Sequence, residues 1–151
     1  MNKKEHPSYP IHAIGGIDAM SIEKLRAVRI RTTAGLLKAA KHAKGRKELA
    51  QKTGIAVGDL LGLVNQADLM RIKGLGGEYT SLLKEAGVDT VRSLRHRNPQ
   101  HLAKKMAERN AMRKNGATEA RGECQVQLLP GEKAIQKWIE HAKNLTLQIT
   151  Y

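Results

Sequence analysis

Residues 71–84 hold the side chains whose types and spacing point most clearly to chemistry. Arg71-Ile72-Lys73-Gly74-Leu75-Gly76-Gly77 sets glycines around one aliphatic residue, with cations beside them and Lys84 further on. Glycines at 74 and 76 let the backbone turn with no side chain in the way, and Leu75 is suited to point inward and lock the flanking helices together. A helix opening after such a turn has N–H groups without intrahelical partners and a partial positive charge, so a phosphate oxygen can dock there. The chemistry such a turn could do is anion binding; contacts of this kind to a nucleic acid would go to its backbone and read no base sequence. Arg71, Lys73 and Lys84 would add charge-assisted contacts, and Arg92, Arg95 and Arg97 lie in a basic run that follows.

No catalytic constellation accompanies this turn. The histidines at 6, 12, 42, 96, 101 and 141 form no i, i+4 pair, and Cys124 is the single cysteine, so a zinc site would need ligands from distant segments and a disulfide is excluded. The acidic residues are scattered, with Asp68 and Asp89 placed as helix caps, and no cluster suggests a two-metal nuclease. Lys73-Gly74-Leu75-Gly76-Gly77 lacks the Gly-Lys-Ser/Thr ending of a phosphate-binding loop and follows a helix rather than a strand. The expectation is a protein that is not an enzyme, with no small-molecule substrate and no metal.

The elements that must position the turn are helical almost throughout. Ile14-Gly15-Gly16-Ile17-Asp18, then Leu25, Ile30, Thr32 and Leu36, matches Ile72-Lys73-Gly74-Leu75-Gly76, then Leu83, Val88, Thr90 and Leu94, at a constant offset of 58. Gly54-Ile55 with Leu61 reads as a third, partial copy. In each, a helix ends in a left-handed residue, a buried aliphatic follows, and a new helix begins; Gly54 and Gly87 suit that left-handed position and Thr90 suits the N-cap. Arg29 stands at the equivalent position with a Cβ, so it must either strain or turn differently. Periodicity predicts helices near 20–28, 33–43, 46–53, 57–67, 68–73, 78–86, 91–96, 99–114 and 131–143, with Asn98-Pro99 and Pro130 opening the last two, and a loop over 117–129. Ile135, Trp138, Ile139 and Ala142 form an apolar stripe in which Trp138 is a core anchor. The tail 145–151 alternates and could pair with Tyr9-Pro10-Ile11. The fold class is all-α: an arm (1–10), a first, diverged hairpin unit (11–44), a linking hairpin (45–67), a second unit (68–97), and C-terminal helices and tail (98–151), packed as one domain.

The 151 residues carry 27 Lys and Arg against 14 Asp and Glu, a formal net charge of +13. Nine cations and no acid lie between Lys24 and Lys47, and a second run, broken only by Glu108, spans Arg92 to Lys114. Helix faces that gain i,i+4 pairs mix signs, so these runs favour a polyanionic partner. Aromatics are 3% of the chain (Tyr9, Tyr79, Trp138, Tyr151), too few for the stacking platform that single-strand readers use. Neither an apolar leader nor a membrane-length run is visible, which suggests a cytoplasmic protein with no membrane partner.

Asp68 to Thr90, with its short helix, Gly-Leu-Gly turn, second helix and Gly87-Val88, resembles the helix-hairpin-helix motif. The resemblance implies non-catalytic, sequence-independent binding of duplex DNA, with Arg71, Lys73, Gly74, Gly76, Gly77, Lys84, Arg92, Arg95 and Arg97 at the interface and a location at the nucleoid; carbonyls of such hairpins can also hold a monovalent cation. Across nearly the whole chain, including Arg46 to Ile55, Asn65 to Gly74 and Trp138 to Lys143, the sequence is similar to an uncharacterised bacterial domain family built on tandem units of this kind. In the first copy Asp18 replaces the second glycine. Its carboxylate would cap the N–H groups a phosphate needs, which leaves Gly15, Gly16, Lys24 and Arg26 as a weaker second site. A protein–protein adaptor meeting an acidic partner, and an RNA- or ribosome-associated protein, are the alternatives.

Overall fold

The computed structural model describes residues 7–114 and 125–151. A single 3-10 turn (Ile11–Ala13) precedes α1 (Ala19–Ala27), α2 (Thr33–Ala40), α3 (Ala43–Thr53), α4 (Val57–Leu69), α5 (Gly77–Glu85), α6 (Val91–Arg95), α7 (Pro99–Lys114) and α8 (Glu132–Asn144). The described residues are all-α, with no strand; one antiparallel bridge joins Pro10 to Thr32.

The 58-residue offset in sequence is also an offset in structure. α1 and α5 begin and end at equivalent positions, and the turns before them place Gly16 and Gly74 in the left-handed region, at φ 77° and 86°. After each helix the chain reverses in the same way. The Arg29 N–H donates to Arg26 O and that of Gly87 to Lys84 O; the Ile30 N–H donates to Leu25 O and that of Val88 to Leu83 O. Thr32 and Thr90 then cap the next helices, their hydroxyls accepting from Gly35 N and Ser93 N. Arg29 adopts the same left-handed conformation as Gly87, at φ 68° against 95°, so the arginine is strained rather than turned differently. The third copy slips. Gly54 is left-handed and Ile55 is buried, but α4 begins one residue early relative to α2 and α6, and the buried leucine is Leu60, not Leu61.

The separate helix expected over 68–73 does not form. α4 runs on to Leu69 and residues 70–74 make the turn. The reason is Asp68: its carboxylate does not cap a new helix but takes Arg71 in a buried ion pair of 2.6 Å. The tail likewise does not pair with 9–11. That backbone is already taken, since the Ile11 N–H donates to Arg31 O and the Thr33 N–H to Tyr9 O. The tail instead reaches the α2–α3 corner, where the Thr150 N–H donates to Lys41 O. Asn98 caps α7 as expected, accepting from His101 N at 3.0 Å, and α8 starts after Gly131. Most of the loop expected at 117–129 lies outside the described residues.

Two apolar clusters form the core. Ile11, Ile14, Leu25, Leu36, Leu60, Val64 and Met70 belong to one; Leu69, Ile72, Leu75, Leu82, Leu83, Leu94, Met106 and Trp138 belong to the other. α4 feeds both, so the second hairpin turn hangs from a helix anchored on two sides. Each such side chain contributes about 1.5–3 kcal/mol when fully buried.

Candidate nucleic-acid interface

At the second hairpin Leu75 is fully buried and fixes the turn, while Lys73 and Gly74 on its outer side are exposed. Gly76 is the N-cap of α5, and no side chain caps this helix end. Its backbone, φ −84° and ψ −179°, suits any residue, and a Cβ there would meet nothing within 4 Å. The first hairpin differs in the expected way: the Asp18 carboxylate accepts from Ser21 N at 2.7 Å and fills the capping position of α1.

The two turns abut. A Cβ on Gly15 would lie 2.2 Å from Gly77 O, and one on Gly77 would lie 1.8 Å from Ala13 O. These distances are far inside van der Waals contact, so Gly15 and Gly77 serve the junction between the hairpins rather than a ligand. Beside the junction a groove of about 410 Å³ opens between hairpin one, the Gly58–Gly62 face of α4, and α5. Asp18, Asp59, Glu85 and Lys84 line it. Carboxylates outnumber cations there, so the groove itself does not suit a phosphate.

The basic residues fall into two sets. Lys73, Lys84, Arg92 and Arg97 are exposed, as is Arg26; Lys24 is half-buried. Arg97 keeps one tie, donating to Gly87 O at 2.7 Å, and the Arg26 guanidinium is 3.4 Å from His12 Nδ1. Arg71 and Arg95 point inward instead. Arg71 pairs with Asp68 and donates to Thr146 O at 2.9 Å. Arg95 donates to Ala142 O at 2.7 Å and to Leu145 O, closing the end of α8. Helix C-terminal carbonyls are natural acceptors for a guanidinium, which draws Arg95 away from the surface expected of it.

Sequence reading did not place α8 beside the turn. The Lys73 N–H donates to His141 Nδ1 at 3.3 Å, and Trp138 Nε1 comes within 3.7 Å of where a Gly74 Cβ would be. Tyr79, in the first turns of α5, meets the Trp138 ring at 5.4 Å between centroids and donates its hydroxyl to Leu128 O at 2.7 Å. Burial, with the neighbouring Glu78 carboxylate, raises the Tyr79 phenol above its ordinary value of 10.0. The hydroxyl therefore keeps its proton, and the bond, through neutral pH. No local pattern announces contacts between residues about 60 positions apart.

Among the described residues no group of three His, Cys, Asp or Glu side chains gathers around a possible metal position, and no helix is long and apolar enough to cross a membrane. Fold and site together define an all-helical protein built on a repeated helical turn with an uncapped, cation-flanked helix start. A family model matches residues 15–145, and the chain belongs to that family, the domain of unknown function DUF4332. No curated protein and no solved structure matches it.

Proposed function

We propose that this chain binds duplex DNA without catalysis and without sequence preference, holding backbone phosphates at a helix-hairpin-helix turn formed by Lys73 to Gly76. The observation that carries this reading is the contrast between two otherwise equivalent turns. Hairpin one fills its helix start with the Asp18 carboxylate; hairpin two leaves its helix start open behind Gly76, beside exposed Lys73. Backbone N–H groups left without a side-chain cap at a fixed helix end form an anion site. Lys73, Lys84, Arg92 and Arg97 are the side chains to assign to it; Arg71 and Arg95 act as supports inside the fold. A monovalent cation among the turn carbonyls fits the same reading, as does a place at the nucleoid.

The test is Gly76→Asp. The backbone at 76 accepts any residue, so the substitution should copy the capped helix start of hairpin one and leave the stability equal or raised by about a few tenths of a kcal/mol. Affinity for a duplex of mixed sequence should fall at least tenfold. For wild type, with roughly 4–6 phosphate contacts, log K against log salt should have a slope of about −4 to −5. Affinity that barely responds to salt, or a Gly76→Asp protein that binds like wild type, would refute the reading.

One observation favours a second reading, a protein–protein adaptor. The carboxylate-lined groove beside hairpin one is floored by Gly58 and Gly62, where added Cβ atoms would meet only open space. A partner's basic segment would fit there, and a complex that survives nuclease treatment and is lost in Gly62→Leu would support it.

A further inference from the structure

Trp138 has the place of a core anchor. It is 5% exposed, lies in the buried stripe of α8 and packs against Tyr79. Its indole nitrogen does not end in the core. Among the described residues no atom accepts the Nε1–H, and no fully buried side-chain nitrogen or oxygen lacks a partner, so this nitrogen reaches solvent. It does so beside Gly74, 3.7 Å from where a Cβ would stand. A buried tryptophan usually finds an acceptor for its N–H, and indole can only donate. Here a neutral, rigid donor is held at an exposed turn, beside Gly74 and the exposed residue before it, Lys73. The turn is in turn tied to α8 by the Lys73 N–H bond to His141. One helical turn before His141, Lys137 is exposed on the same side of α8.

We propose that the Trp138 indole N–H and the Lys73 ammonium together hold one phosphodiester oxygen at the outer side of the second hairpin turn. This rests on the duplex-binding reading and assigns it a donor from a helix remote in sequence. Gly74 fits the arrangement twice. Its left-handed backbone makes the turn, and its missing side chain keeps the path to Nε1 open. The chain carries one tryptophan, so its fluorescence reports on this position alone.

The experiment compares wild type, Trp138→Phe and Lys73→Gln, binding a 20-base-pair duplex over a range of salt. Trp138→Phe keeps an aromatic ring against Tyr79 and removes the donor. It should weaken binding roughly five- to tenfold at every salt concentration, with the salt slope unchanged, because no charge is lost. Lys73→Gln should instead flatten the slope by about 0.9. Wild-type tryptophan emission should change in proportion to bound duplex. A Trp138→Phe protein with wild-type affinity, or emission indifferent to saturating duplex, overturns the assignment and leaves the duplex-binding reading standing. If Trp138→Phe does not fold, the wild-type emission decides alone. Wild type that binds no duplex even at low salt overturns both.

Discussion

Arg29, Gly54 and Gly87 perform one task with different chemistry. Each ends a helix in the left-handed region, at φ 68°, 79° and 95°. For a residue with a Cβ this conformation costs about 1–2 kcal/mol, partly offset because glycine loses more backbone entropy on folding, about 0.5–1 kcal/mol. Arg29→Gly should therefore stabilise the protein by about 0.5–1 kcal/mol, seen as a thermal midpoint higher by roughly 1–4 °C. Gly87→Ala should do the reverse, losing about 1 kcal/mol or more. Arg29 is exposed, so if its charge adds to the proposed duplex site, Arg29→Gly should also weaken duplex binding modestly while raising stability.

At the scale of elements, the junction of the two hairpins depends on two missing side chains. Gly15→Ala or Gly77→Ala would drive a methyl group into a backbone carbonyl at 2.2 or 1.8 Å, and the hairpins would have to part. Urea unfolding should show a loss of about 2–3 kcal/mol for each, near the upper end for overpacking. Gly62→Ala is the control. It lies mid-helix in open space and should gain about 0.5–1 kcal/mol. The sequence foretold most of the helices and the 58-residue repeat because capping threonines, left-handed glycines and buried aliphatics act within a few residues of one another. It did not foretell that Gly15 and Gly77 would touch. A glycine needed for a turn and one needed for close approach look alike until the partner backbone is in place. The same limit hid Asp68, whose type suits an N-cap but whose geometry with Arg71 makes an ion pair. It also hid α8 beside the second turn, since neither Trp138 nor His141 carries a local sign of a partner near residue 74.

For the whole molecule, the +13 charge does two kinds of work. Among the described residues four arginines face inward: Arg46, Arg71, Arg95 and Arg113. Three of them hold the C-terminal tail, with Arg95 on Leu145 O, Arg71 on Thr146 O and Arg46 on Thr150 O. Arg46 shows why arginine is used. It is 3% exposed, its Nη1 donates to Ala40 O and Lys41 O at 3.0 Å, and its Nη2 donates to Thr150 O at 2.5 Å. The end of α2 supplies the partial negative charge that answers the guanidinium. A lysine has a single nitrogen and cannot span carbonyls set out for a planar fork. Arg46→Ala should lose about 3 kcal/mol of stability, the worth of one or two charged hydrogen bonds, and Arg46→Lys should recover less than half of it. Hydrogen exchange at the Thr150 amide, bonded to Lys41 O, should become fast in both. Duplex affinity and its salt slope should stay at wild-type values in Arg46→Ala, which removes the charge, because this cation faces the tail and not the solvent. A salt slope that dropped by about 0.9 in that variant would mean that the inward arginines also count toward the charge of the proposed duplex site, and the division between interior and surface cations would fail.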